Sequence, residues 1–115
     1  MSELLECSTR LIERVEQMKQ LFPQYIDKEP DFYHDVKPFV DTLRVDADKW
    51  RDLALDWVKH ERPLYIHSIN IEDTHENLIH TSLQTFYHDV KEKRYKEMTE
   101  SIMYTIGMVT SQLSS

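Results

Sequence analysis

From Leu43 to Tyr65 the chain reads LRVDADKWRDLALDWVKHERPLY. Leu43, Ala47, Trp50, Ala54 and Trp57 recur at alternating steps of four and three residues. On an α-helix this spacing aligns them along one face. Asp48, Asp52 and Asp56 also step by four and fall on the opposite face. Two tryptophans seven residues apart give this helix the largest apolar surface in the chain. Pro63 limits how far the helix can run, because proline lacks the amide a helix interior needs. A helix with such a face requires other helices around it.

The same face continues upstream through Val36, Phe39 and Val40. Entry into this second helix lies between Asp31 and Pro38. With Asp35 as the cap, Pro38 falls in the first turn, where a missing amide loses no bond. With a start at Asp31, Pro38 is expected to kink the helix. Residues 2–22 read as a first helix, capped by Ser2 and stopped by Pro23. Leu4, Ser8, Leu11, Val15, Met18 and Phe22 form its stripe, widened by Leu5 and Ile12.

Downstream, residues 61–72 read as a longer connection. Its Leu64, Tyr65, Ile66, Ile69 and Ile71 suggest a loop packed over the bundle's end. Asp73-Thr74-His75-Glu76 has the form of a capping box opening a third helix that runs to about Tyr87. Its stripe of Leu78 or Ile79, Ser82 or Leu83, and Phe86 is the weakest of the four. A fourth helix is predicted from about Val90 to Leu113. Tyr95, Met98, Ile102, Thr105 or Ile106, Val109 and Leu113 line its inner face. Gly107 lies inside it at a cost of up to about 1 kcal/mol relative to alanine. Close approach of a neighbouring helix is the expected reason.

The expected fold is therefore all-α, an antiparallel up-down-up-down four-helix bundle, with residues 1–115 as one domain. The composition agrees: a single glycine and four prolines are too few turn residues for a sheet protein of this size. With 14 Lys and Arg against 21 Asp and Glu, the net charge is −7. Such a chain repels phosphates, which disfavours nucleic acid and anionic membranes as partners. The lone Cys7 excludes an intramolecular disulfide and suits a reducing cytoplasm. No apolar run approaches the roughly 20 residues that span a bilayer. The N-terminal MSELLECSTR lacks the basic-then-apolar order of a signal peptide.

Motifs for chemistry are sparse. There is no P-loop, no G-x-G-x-x-G and no G-x-S-x-G, and Cys7 has no companion pattern for nucleophilic catalysis. Glu72-x-x-His75 matches the spacing of carboxylate-bridged di-metal bundles, and Glu76 and His80 follow one turn on. These four are the candidate metal ligands. A full site needs a second such pair, and only Asp31-x-x-His34 approaches it. The hexapeptide FYHDVK occurs twice, at Phe32–Lys37 and Phe86–Lys91. Either each copy packs aromatics and caps a helix with Asp35 or Asp89, or His34, Asp35, His88 and Asp89 make a pseudo-symmetric pair of sites. Lys91, Lys93, Arg94 and Lys96 form the only basic cluster, at a helix N-terminus where positive charge is mildly unfavourable. A solvated helix start accounts for it; pairing with Glu29, Asp35 or Asp41, or binding an acidic partner, are the alternatives.

At Trp50, Leu53, Ala54, Trp57, Glu61, Arg62, Pro63 and Tyr65 the chain resembles the YppE-like family of small proteins from Gram-positive bacteria. DFYHDVKPF at Asp31–Phe39 and ENLIHTSLQTFY at Glu76–Tyr87 extend the resemblance, as do KRYKEM at Lys93–Met98 and Tyr104. The resemblance implies a four-helix bundle of unknown function and assigns no site residue. Relatives are expected to carry proline soon after the second Phe-Tyr, where this chain has His88-Asp89.

Two functions remain as expectations. The first is a non-catalytic protein-interaction module without cofactor, monomer or homodimer, contacting an unknown protein partner through Trp50, Trp57 and Tyr65. The second is a metal-binding bundle with a metal-dependent enzyme activity, built on Glu72, His75, Glu76 and His80.

Overall fold

The structure, a computed structural model, describes residues 2–114. Among the described residues, four α-helices make up the fold: α1 Glu3–Leu21, α2 Lys37–Glu61, α3 Ser68–Tyr87 and α4 Glu92–Ser114. Among the described residues, no helix is long and apolar enough to cross a membrane.

Local sequence explains most of the boundaries. Ser2 caps α1, its hydroxyl accepting from the Leu5 amide at 3.2 Å. A 3₁₀ turn, Phe22–Tyr25, follows with Pro23 in its first turn. Asp31, rather than Asp35, is the cap ahead of α2. Its Oδ1 accepts from the Tyr33 and His34 amides, and Asp35 Oδ2 accepts from the Asp31 amide in return. Between this cap and α2 lies one π-helical turn, Phe32–Val36. Hydrogen bonding slips by one residue just ahead of Pro38, which stands where the expected kink would be.

Arg62 ends α2 in the left-handed region (φ 46°), its amide donating to Val58 O at 3.1 Å. Pro63 follows, as expected for a helix stop. The third helix starts at Ser68, five residues before Asp73, and the Asp73–Glu76 capping box does not form. The His67 amide donates instead to Asn70 Oδ1 at 2.8 Å. The segment Ser68-Ile69-Asn70-Ile71 has weak helix propensity, and burial of Ile71 and the preceding Ile66 overrides it. The connection is thus only residues 62–67, and Leu64, Tyr65 and Ile69 are exposed instead of packed over the bundle. α4 begins two residues after Val90.

The helices alternate in direction. Glu3 and Ser8, early in α1, meet Lys49 and Trp50 of α2, while Arg14, further along α1, meets Asp46, earlier in α2. Asp48 and Phe39 of α2 meet His75 and Phe86 of α3. Thr85 bonds Tyr95 across the short α3–α4 connection, and Phe22 at the end of α1 stacks on Tyr95 near the start of α4. α1 and α3 each pack between α2 and α4, which is the up-down-up-down bundle.

Trp50 is fully buried at the centre, and its indole N–H donates to the buried Ser8 hydroxyl at 2.9 Å. Leu11, Val15, Met18, Leu43, Ala47, Ile71, Leu78, Ile102 and Ile106 pack around it. The weak stripe of α3 has a plain cause: Thr74, Thr81, Ser82 and Thr85 all face inward. Ser82 and Thr85 donate to the carbonyls of Ile79 and Thr81, and Thr85 also meets the Tyr95 hydroxyl at 2.8 Å. Burial pushes the Tyr95 phenol up to about 12, against a partial offset from the Thr85 bond.

Gly107 does not mark a close approach. A Cβ built there meets nothing within 4 Å. Gly107→Ala is therefore expected to stabilise the fold by up to about 1 kcal/mol, read as a raised urea or thermal midpoint. Tyr95 supplies a second expectation. The unfolded phenol ionises near 10 and the folded one near 12, so stability is full below pH 10 and falls as pH rises toward 12. Tyr95→Phe should lower the neutral-pH midpoint modestly and flatten this alkaline loss; equal alkaline slopes in both proteins would refute it.

Candidate functional site

The acid and histidine set on α3 lies along one face of a single helix. Glu72, His75, Glu76 and His80, with Ile79 and Leu83, line an open groove of about 400 Å³. His75 is committed elsewhere: its Nε2 lies 2.7 Å from Asp48 Oδ1 of α2, with the imidazole only 14% exposed. That contact ties α2 to α3. Among the described residues, no three His, Cys, Asp or Glu side chains are gathered so as to hold a metal ion.

Other histidines have local roles. His60 Nδ1 lies 2.8 Å from the Asp56 carbonyl one turn back. His34 Nδ1 lies 2.9 Å from Asp31 Oδ2. The hydrogen bond and charge of Asp31 raise the His34 pKa, and the same bond lowers that of Asp31. Both groups are open to solvent, so the pair adorns the helix start without forming a pocket.

The two FYHDVK copies are not equivalent. The first is the π turn entering α2, with Phe32, Tyr33 and His34 exposed. The second spans the exit of α3, with Phe86 buried and His88 ending the helix in the left-handed region (φ 52°). His88 stacks on Phe22 at 3.9 Å between centroids, and its Nε2 contacts the Phe22 carbonyl. The symmetric pair of sites drawn from His34, Asp35, His88 and Asp89 therefore does not form. Cys7 is buried, with an Arg10 guanidinium nitrogen 3.3 Å from its Sγ.

Of the three expected contact residues, Trp50 is removed by its complete burial. Trp57 is half-buried and packs against the core. Tyr65 is 80% exposed and lies beside Leu64 in the α2–α3 connection, with Ile69 in the first turn of α3. Leu64 is 71% and Ile69 61% exposed. The turn is defined by its backbone: Tyr65 sits at φ 65°, a conformation that costs a side-chain-bearing residue about 1–2 kcal/mol. Gln112 of α4 donates to the Leu64 carbonyl at 2.7 Å and holds the connection against the bundle. Leu64 and Ile69 escaped the sequence reading because an apolar residue in a connection was assigned to packing. The left-handed backbone at Tyr65 has no glycine to announce it.

At the opposite end, Phe22 lies between His88 and Tyr95, stacked on both, while Phe86 meets Tyr25 and Phe39 edge-on. Ile26, Phe32, Tyr33 and Tyr87 are exposed around this end. Lys91, Lys93, Arg94 and Lys96 are exposed, and among the described residues none of them forms an ion pair. The expected pairing with Glu29, Asp35 or Asp41 is not made. Asp41 is taken by Lys37 at 2.7 Å, and Asp35 accepts from the Asp31 amide.

Comparison with known proteins agrees with this architecture. The uncharacterized protein YppE of Bacillus subtilis is 31% identical over 93% of this chain and 94% of its own length. Its crystal structure superposes with a TM-score of 0.90 at 30% identity, covering 99% of this chain and 96% of that one. A protein of unknown function from Listeria innocua superposes at 0.89 with 31% identity, covering 97% and 91%. Residues 8–113 match the bacterial domain of unknown function DUF1798, and the chain belongs to that family.

Proposed function

We propose that this protein is a non-catalytic interaction module of the cytoplasm, and that it contacts another protein through the α2–α3 end. One observation carries the reading: Leu64 and Tyr65, in the connection anchored by Gln112, and Ile69, in the first turn of α3, are all exposed. Apolar side chains grouped on a defined backbone, with tyrosine among them, have the composition of an interface core. A rigid turn also loses little conformational entropy on binding. The strained Tyr65 backbone is supporting evidence, since such conformations concentrate at binding sites. A single buried cysteine suits a reducing compartment.

The test is site-specific photo-crosslinking in cells. A benzophenone side chain at position 65 should give a discrete adduct that the same group at exposed Tyr104 does not. Adding Leu64→Ser and Ile69→Ser should abolish that adduct while leaving the melting temperature within a few degrees. Indistinguishable adduct patterns from positions 65 and 104, or none from either, would refute the proposed surface.

A further inference from the structure

A second surface, at the other end of the bundle, has a different chemistry. The exit of α1 and the entry of α4 enclose a pocket of about 280 Å³. Phe22, Pro23, Ile26 and Tyr95 supply its apolar walls. Its floor is pre-formed, because Phe22 is stacked between His88 and Tyr95, with ring centroids 3.9 and 3.8 Å away. Ile26, on its wall, is 57% exposed. Charge surrounds this apolar opening: Lys19 and Lys96 line it from α1 and α4, with Glu92 as the one acid. Lys19 has only a 4.0 Å contact with Glu16, and Lys96 has no ion pair among the described residues.

We infer that this pocket docks an acidic segment of another protein that inserts one bulky apolar side chain. The volume is enough for a single phenylalanine or leucine side chain and lies at the lower end of the roughly 300–1,000 Å³ of small-molecule sites. Lys91, Lys93 and Arg94 are exposed at the same α4 start, so a one-carboxylate ligand would leave most of this cluster unanswered. They also stand at the start of α4, where the helix dipole already favours negative charge. In a chain of net charge −7, an unneutralised cation cluster beside an apolar pocket is complementary to an acidic peptide. A nucleic-acid strand fits less well, because the remaining surface repels it. This surface is independent of the one around Tyr65, and one can fail without the other.

The probe is a synthetic peptide with a central phenylalanine and three glutamates on each side, titrated into the full-length ¹⁵N-labelled protein. Amide shifts are expected at Ile26, Tyr95, Lys96 and Thr99. Lys96→Glu and Lys19→Glu should each weaken binding by about tenfold, as should raising the salt from low to physiological strength and beyond. Replacing the central phenylalanine by alanine should abolish it. Leu64→Ser with Tyr65→Ser, at the far end, should leave it unchanged. If a charge-reversed variant loses its fold, the milder Lys96→Gln carries the same comparison. The inference is overturned if millimolar peptide moves none of these amides, or if a lysine-flanked peptide binds equally well. It is also overturned if 3-phenylpropionate or a thymidine oligonucleotide binds as tightly as the acidic peptide.

Discussion

The buried indole of Trp50 must place its N–H somewhere, and Ser8 is where it goes. Left unpaired in the core, that N–H would cost about 1–3 kcal/mol. One serine hydroxyl therefore sets how far α1 can slide along α2. With that level fixed, Leu11, Val15 and Met18 fall opposite the upstream half of α2, and Arg14 comes within 3.3 Å of Asp46. Ser8 looks like a defect in an apolar stripe. It is the residue that makes a tryptophan usable at the centre.

The third helix meets the complementary problem in part, since Thr81 Oγ1 is buried without a partner among the described residues. Its inward face is rich in Thr and Ser, and such hydroxyls need partners in a dry core. Two of them bond carbonyls of their own helix, and Thr85 extends the contact to Tyr95. Hydroxyls let α3 lie against α4 without large side chains, while His75 reaches sideways to Asp48 of α2. Small hydroxyl side chains share the inward face with Ile71, Leu78 and Phe86, which explains why its periodicity was faint.

Helix number and most of the core were legible from spacing, because a stripe at steps of three and four has one structural meaning; alternation of direction was expected from the short connections. The faces of α1 and α2 agree closely: of the apolar residues named on them, Leu5, Ile12, Phe39 and Trp57 are half-buried and the others buried. What failed depended on tertiary context. Burial of Ile71 extends α3 back through a poor helix-forming segment; open space around Gly107 removes the reason given for a glycine; His75 turns to Asp48 and leaves its sequence neighbours Glu72 and Glu76. The candidate surfaces were legible only in part. Tyr65 was visible as an aromatic in a connection, but the pocket beside Tyr95 joins residues some seventy positions apart, and no local pattern records it.

The repeated FYHDVK also has an immunological consequence. In the folded chain the first copy presents Phe32, Tyr33 and His34 to solvent, whereas the second hides Phe86 beneath Tyr25 and Phe39. An antibody that requires the phenylalanine would count one epitope on the native molecule and two on the denatured one. The chain thus carries, by accident of its own sequence, an internal gauge of whether its α3–α4 corner is folded.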